Sequence, residues 1–176
     1  TYFCPAAAIR EVEKEIGVVE IGRSEGLSFI HGRLNIGEPM APPLIRAVRE
    51  YVDPERINVI DAPPGTSCPV IAAVKGSDFC VLVTEPTPFG LNDLKLAIEV
   101  VRKLSIPFGV VINRSDLGDT KTTEYCAEQR IPVLMQIPFR REIAAAYSHG
   151  ESLVRACPEY RSQFLQMLES IREVRS

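Results

Sequence analysis

The chain has 176 residues, of which 45% are hydrophobic and 24% charged, and its formal net charge at pH 7 is −3. A chain of this length can bury the core of one domain, and its mildly acidic balance gives no basic footprint for nucleic acid. The pattern predicts neither a transmembrane segment nor a signal peptide. Five widely spaced cysteines without a CxxC pair argue against a zinc ribbon or a disulfide framework and favour a reducing cytoplasm.

The predicted elements begin with two β-prone runs, 18–21 and 27–36, which predict an antiparallel hairpin. Helical spacing of apolar residues between 40 and 52 predicts a helix that ends near Asp53-Pro54. Beyond residue 69, strand and helix patterns alternate over short loops, which predicts βαβ units and a mostly parallel sheet flanked by helices. The further strands are predicted at 79–84, 108–112 and 132–137, and the helices at 70–75, 91–104, 120–129, 141–147 and 160–174. We therefore expect a single α/β domain of three layers, with the hairpin as an N-terminal insertion.

The stretch 57–69 carries the strongest functional signal. Residues 57–60 are mostly branched and apolar, which is typical of a strand buried on both faces. Asp61 stands at the end of this strand, and Pro63-Pro64-Gly65 follows almost at once. Proline fixes φ and glycine permits a positive φ, so we expect a stiff, sharply turned loop that is bare of side chain at Gly65. A magnesium–phosphate site requires this arrangement, although an ordinary strand that ends in a turn shares the pattern.

Polar residues follow each predicted strand at the carboxyl end, where open parallel sheets bind ligands. They are Asp61, Glu85, Asn113, Arg114, Asp116 and Arg140, with Pro138 beside the last. Asp61 is a candidate magnesium ligand or, alternatively, a turn cap. Asn113 carries both a carbonyl and an amide and is a candidate partner for adenine, or else a turn residue. Arg140 is a candidate for stacking on a base or for contacting a phosphate, whereas most single arginines are solvated.

Two further segments contain residues that could bind a metal or a phosphate or take part in redox chemistry. Cys68 lies three residues beyond Gly65, so it is a candidate metal ligand or redox thiol, with a buried free cysteine as the alternative. The segment from Gly118 to Lys121 superficially resembles the end of a phosphate-binding loop. Because no glycine stands directly before Lys121, we expect a helix cap there instead.

Four motifs taken together resemble one family. They are VIDAPPGTSCPV at 59–70, VTEPT at 83–87, VINRSD at 111–116 and QIPFR at 136–140. Their order and spacing resemble the MinD/ParA/Mrp class of deviant-Walker P-loop ATPases, most of all the MinD-superfamily ATPases with an inserted ferredoxin domain. Such proteins are sometimes grouped with CobQ/CobB nucleotide-binding domains of cobyrinic acid a,c-diamide synthases.

The resemblance implies a role for each matching residue. Asp61 matches the Walker B acid that holds magnesium, and Gly65, with Pro64 and Thr66, matches the switch that senses the γ-phosphate. Asn113, with Arg114, matches the adenine-binding position. The loop that closes over the base corresponds to 138–140, including Pro138 and Arg140. Cys4 would be the last cluster cysteine of the ferredoxin insert. ATP, Mg²⁺ and 4Fe–4S clusters are the implied ligands of the parent protein.

The chain departs from the family pattern in one important respect. It contains neither a glycine-rich loop with a phosphate-binding lysine nor a complete cluster motif, and phosphate positioning supplies most of phosphoryl-transfer catalysis. We therefore expect the chain to be the C-terminal portion of a longer ATPase, inactive alone and binding no cofactor. Residues 1–37 would be the insert junction plus hairpin, and 38–176 the α/β core. In the family two subunits sandwich ATP, which implies a homodimer that acts with an iron–sulfur or electron-transfer protein.

Two alternatives remain open at this point. One is a non-catalytic α/β module that binds a partner through its surface after losing the P-loop. The other is the ATPase domain of an amidotransferase similar to cobyrinic acid a,c-diamide synthase, which calls for a glutaminase domain.

Overall fold

The computed structural model describes residues 5–6, 8, 10 and 12–175, so the predicted insert-junction residue Cys4 lies outside the described residues. The strands are β1 (Gly17–Ser24), β2 (Leu27–Leu34), β3 (Cys80–Thr84), β4 (Phe108–Asn113) and β5 (Val133–Ile137). The helices are α1 (Ala41–Arg49), α2 (Cys68–Val74), α3 (Pro88–Lys103), α4 (Lys121–Glu128), α5 (Arg141–Ser148), α6 (Leu153–Ala156) and α7 (Tyr160–Arg175). None of the helices in this part of the chain is long and apolar enough to cross a membrane.

The chain divides into two compact units, and the first comprises Thr1–Pro63 together with Cys68–Ala73. Its strands β1 and β2 pair antiparallel over their full length, with Ile21 opposite Ile30, which confirms the predicted hairpin. Helix α1 packs against this hairpin through its buried residue Leu44. Within the same unit, the Arg49 guanidinium donates a hydrogen bond to the carbonyl of Ala73, so α1 is also tied to α2.

The second unit comprises Pro64–Ser67 and Val74–Ser176 and contains a three-stranded parallel sheet in the order β3-β4-β5. One face of the sheet packs on α3 and α4, where Leu94, Ile98, Val110, Ile112 and Cys126 form a buried cluster. The other face packs on α5–α7, where Val111 and Met135 contact Cys157 and Tyr160. Alternating residues of β4 thus face opposite layers, as a strand buried on both faces requires. The predicted α/β class with a parallel sheet is confirmed.

The prediction of a buried strand at 57–60 is wrong. No ladder among the described residues includes this segment, and the side chains of Ile57 and Val59 are 65% and 92% exposed. A strand exists only by pairing its backbone N–H and C=O groups with a neighbour, and the apolar composition of 57–60 does not supply that neighbour. The segment is therefore irregular chain, without a strand partner among the described residues.

One apolar row that runs across the sheet is covered unevenly. Val83, Val111 and Met135 lie side by side on β3, β4 and β5. Val111 and Met135 are each 6% exposed, whereas Val83 is 66% exposed. Helix α7 packs on β5, so the helical layer covers the β4–β5 side of this face and leaves edge strand β3 open to solvent.

Helix α3 begins at Pro88, three residues before its predicted start. The hydroxyl of Thr87 accepts a hydrogen bond from the backbone N–H of Gly90 at 3.0 Å. This N-cap satisfies one of the free amides of the first turn, and proline is well tolerated at the first helical position. The short helix α6 was not predicted, because four residues give no helical periodicity.

We predict that Ile98→Ala lowers the free energy of unfolding by about 2–5 kcal/mol, because truncation of a buried isoleucine loses apolar burial and leaves a cavity. Ile98 is 1% exposed in α3, whereas Leu96 on the same helix is 46% exposed. Leu96→Ala is therefore the matched control and should cost less than about 1 kcal/mol. Urea unfolding of both variants measures the difference, and equal losses would contradict this assignment of the core.

Candidate functional site

The loops that follow β3, β4 and β5 meet at one edge of the second unit. Thr84 pairs with Ile112, and Asn113 pairs with Ile137, so the three strands end level with one another. Glu85, Asn113 and the 138–140 segment therefore leave the sheet at the same carboxyl edge. Ligands bind at this edge in open parallel sheets, and we call it the carboxyl edge below.

Asn113 is the last residue of β4, and its side chain is half-buried at the carboxyl edge. Its backbone belongs to the β4–β5 ladder, which fixes where the side chain begins. The side-chain amide makes no hydrogen bond to another residue that the structure describes, so both its donor and its acceptor remain available. A carboxamide held in this way presents the complementary donor–acceptor pair that the edge of a purine base requires.

Arg114 has a left-handed backbone, with φ of 50°. Its Nε lies 3.5 Å from Oε1 of Glu85, and its guanidinium carbon lies 5.8 Å from the centre of the Phe139 ring. The Arg114 and Glu85 side chains are 52% and 40% exposed, so the ion pair contributes under about 1 kcal/mol. The contact nevertheless places Arg114 between the loops that follow β3 and β5.

Arg140 turns toward α7. Its Nη1 donates to Oε1 of Glu159 at 2.9 Å, and its guanidinium carbon lies 5.8 Å from the ring of Tyr160. Tyr160 is only 2% exposed and belongs to the core beneath the sheet. The 138–140 segment is therefore anchored on a buried side chain, and the charge of Arg140 is balanced by a carboxylate.

Two contacts at the carboxyl edge could not be read from the sequence. Oδ1 of Asp116 accepts a hydrogen bond from the backbone N–H of Phe139 at 2.6 Å, across 23 residues of chain. Gly118 lies so close to Pro86 that a Cβ there would stand 1.8 Å from the Pro86 carbonyl oxygen. Phe139, whose side chain is 41% exposed, lies within the 136–140 motif, but the sequence assigned it no role of its own. Its only sequence signal is an aromatic side chain between a proline and an arginine.

The loop around Gly65 has the predicted backbone. Gly65 has φ of 96°, a conformation that glycine adopts without strain. No atom lies within 4 Å of the position a Cβ would take, and Pro64 and Thr66 are exposed. The backbone at Gly65 is therefore bare and accessible.

Asp61 belongs to the first unit and is exposed. Its carboxylate forms no ion pair or hydrogen bond with another residue in the described part of the chain, so both oxygens are free to bind a cation. Across the described residues, no group of three or more histidine, cysteine or acidic side chains is close enough to hold a metal ion. A magnesium ion at Asp61 would accordingly depend on water and phosphate oxygens, as Mg²⁺ sites commonly do.

The predicted alternative of a buried thiol at residue 68 is wrong, because Cys68 is exposed at the start of α2. Burial raises the pKa of the thiols of Cys80 and Cys126, which keeps both protonated and unreactive at neutral pH. Before Lys121, Oδ1 of Asp119 accepts a hydrogen bond from the Lys121 backbone N–H at 3.1 Å, which satisfies one free amide of the first turn of α4. The N-cap residue itself, Thr120, makes no side-chain cap hydrogen bond.

A three-stranded parallel sheet with helices packed on both faces defines the α/β class of the second unit. The solved structures include the cell division ATPase MinD of Pyrococcus furiosus, which matches with a TM-score of 0.68 over 89% of this chain and 69% of that chain. The two sequences are 21% identical, so this likeness concerns the fold. The fold is that of the MinD-like P-loop ATPases.

Several proteins are similar to this chain in sequence. An uncharacterized protein of Methanocaldococcus jannaschii is 33% identical over 145 residues, which are 81% of this chain and 51% of that protein. The iron-sulfur cluster carrier protein of Aquifex aeolicus is 28% identical over 76% of this chain and 43% of its own length. The cytosolic Fe-S cluster assembly factor Nubp1 homolog of Drosophila melanogaster is 30% identical over 64% and 42%, respectively.

No family model matches the chain. The chain is a relative of the MinD/ParA/Mrp-type ATPases, as its motifs predicted. It spans about half the length of the curated relatives that it matches.

We predict that Cys68 is the fastest of the described thiols to react with a disulfide reagent under native conditions. Cys126 is 0% exposed and its raised pKa also lowers the fraction of thiolate, so it should react only when the protein opens. The measurement is reagent consumption at pH 8 in a Cys4→Ser background, because Cys4 lies outside the described residues. Adding Cys68→Ser should remove the fast phase, and a fast phase that persists would contradict the assignment.

Proposed function

We propose that the chain is the C-terminal portion of a nucleotide-dependent ATPase whose parent couples ATP binding and hydrolysis to iron–sulfur cluster or redox chemistry. The observation that carries this proposal is the half-buried Asn113 at the carboxyl edge, with a side-chain amide that no described residue uses. Its position fits adenine recognition in a relative of the MinD-type ATPases. The names of two relatives, an iron-sulfur cluster carrier and an Fe-S cluster assembly factor, support the proposed coupling to iron–sulfur chemistry.

The charges of the carboxyl edge suit the base side of a nucleotide better than its phosphates. Arg114 is paired with Glu85 and Arg140 with Glu159, so neither guanidinium is an unbalanced positive charge. The triphosphate of ATP needs several backbone amides and a lysine or arginine to neutralise it. In the proposed protein those groups come from a parent segment that precedes the part described here.

Two exposed apolar features support a longer parent. The 57–60 segment has strand composition but no partner among the described strands, and edge strand β3 exposes Val83 beside two covered neighbours. Unpaired strand edges and exposed apolar rows are costly in water and favour association. Additional strands and helices of the parent would pair and cover them.

Each candidate residue of this chain has a distinct role in this proposal. Asp61 would hold magnesium, and magnesium would neutralise the charge that develops on the transferred phosphoryl group. The open backbone at Gly65, flanked by Pro64 and Thr66, would contact the γ-phosphate. Asn113 would bind the adenine edge. The 138–140 segment would close over the base.

We further propose that the parent works in the cytoplasm as a homodimer with ATP between its subunits, and that it passes electrons or a cluster to an iron–sulfur protein. The 4Fe–4S clusters would belong to a ferredoxin insert that ends at Cys4. A different function, a non-catalytic partner-binding module, is favoured by the paired state of both edge arginines. It predicts that the natural full-length protein carries no phosphate-binding lysine.

Titration of the natural full-length protein with ATP and Mg²⁺ tests the proposal. We expect micromolar binding and slow hydrolysis by the full-length protein, and no measurable binding by the 176-residue chain. Asp61→Asn should reduce hydrolysis by about 100-fold or more, because the metal loses its carboxylate, while ATP remains bound. Asp93→Asn, which changes an exposed carboxylate on α3, is the matched control and should hydrolyse ATP normally.

The two functions separate in the same experiment. Absence of ATP binding by the full-length protein would refute the ATPase and favour the partner-binding module. Binding and hydrolysis without iron in anaerobically purified protein would keep the ATPase and remove its iron–sulfur role.

A further inference from the structure

The segment between β4 and α4 joins the loops on both sides of it. Toward β3, Arg114 pairs with Glu85, and Gly118 packs directly on Pro86. Toward β5, the Ser115 N–H donates to the carbonyl of Ile137 at 3.0 Å. The Asp116 carboxylate accepts from the Phe139 N–H in the same direction. The 114–118 segment therefore acts as a brace across the carboxyl edge.

The 138–140 segment is held to the rest of the second unit by two charge-assisted contacts. Asp116 holds the backbone of Phe139 at 2.6 Å, and Glu159 holds the side chain of Arg140 at 2.9 Å. Hydrogen bonds with one charged partner are shorter and stronger than neutral ones. The two anchors differ in origin, because Glu159 stands beside α7 whereas Asp116 belongs to the loop that directly follows Asn113.

We propose that Asp116 is a positioning residue that fixes the distance between the Asn113 side chain and the 138–140 segment. This inference rests on the proposed function, in which Asn113 binds the edge of the base and the 138–140 segment closes over it. Only two residues, Arg114 and Ser115, separate Asn113 from Asp116, and β4–β5 pairing holds Asn113. The Asp116 contact thereby fixes the 138–140 segment at a set distance from Asn113.

The Asp116 carboxylate is consequently a structural acceptor. Its Oδ1 is occupied by the Phe139 amide, which leaves Oδ2 alone to meet a ligand. Removal of the acceptor frees the Phe139 N–H to water and leaves Arg140 as the only charge-assisted anchor among the described contacts of this segment. The Phe139 ring, now packed near Arg114 at 5.8 Å, would then lose its fixed position.

The first test measures amide hydrogen exchange of the 176-residue chain by NMR. Asp116→Ala should speed exchange of the Phe139 amide about tenfold, in line with the loss of a hydrogen bond to a charged acceptor. Exchange in Asp116→Asn should fall between that of wild type and that of Asp116→Ala, since the amide oxygen can accept the same bond without the charge. The matched control is Asp119→Ala, which removes the carboxylate that caps Lys121 and should leave Phe139 unchanged.

The second test compares two ligands of the natural full-length protein, ATP and inorganic tripolyphosphate. Asp116→Ala should lower the affinity for ATP about fivefold to tenfold, the equivalent of one hydrogen bond. The affinity for tripolyphosphate should not change, because Asp116 positions only the segment that would contact the base. Asp116→Asn should restore ATP affinity. A general loss of structure would weaken both ligands equally.

Each outcome supports or overturns the inference. Selective loss of ATP affinity together with faster Phe139 exchange supports it. Unchanged ATP affinity in Asp116→Ala, or equal loss of both ligands, overturns it while the ATPase proposal stands. If the wild-type full-length protein binds no ATP, the proposed function fails and the positioning role fails with it.

Discussion

Parallel pairing of β3, β4 and β5 is the constraint on which the carboxyl edge depends. Because the three strands run in the same direction and end level with one another, residues far apart in sequence leave the sheet side by side. Asn113 owes its fixed position to this ladder, and the 138–140 segment lies next to it for the same reason. Burial of β4 on both faces makes the centre of the ladder rigid, since Val110 and Val111 face opposite layers and are both nearly inaccessible. The loops can therefore carry polar residues while the ladder keeps the ends of the strands in place.

The balance between positive and negative side chains determines which ligand group suits the carboxyl edge. Arg114 and Arg140 each have a carboxylate partner, Asp119 is paired with Lys121, and Asp116 is engaged by a backbone amide. An edge without a surplus of positive charge is suited to a neutral, planar group with hydrogen-bonding edges rather than to a polyanion. This is the physical reason for assigning the base of a nucleotide to these loops and its phosphates to the bare backbone at Gly65 and to the parent protein.

Several elements could be predicted from the sequence because their signals are local. The hairpin, the strands β3, β4 and β5, and the helices α3, α4, α5 and α7 follow from periodicity, turn residues and branched apolar runs, and the positive φ of Gly65 follows from glycine's freedom. The 57–60 segment shows where such reasoning stops. Its composition is that of a buried strand, but strand formation depends on a partner elsewhere in the chain, and composition carries no information about that partner.

The sequence by itself determined the fold class, the order of most elements, the family likeness and the identity of the candidate residues, because short-range patterns and motif spacing encode all four. Only the tertiary structure decided which of those residues touch. The Asp116–Phe139 hydrogen bond, the anchoring of Arg140 on α7 and the approach of Gly118 to Pro86 each join segments separated by at least 19 positions. Such contacts arise from the register of the parallel strands and from the packing of α7 on the sheet. Neither the register nor the packing can be predicted from neighbouring residues along the chain.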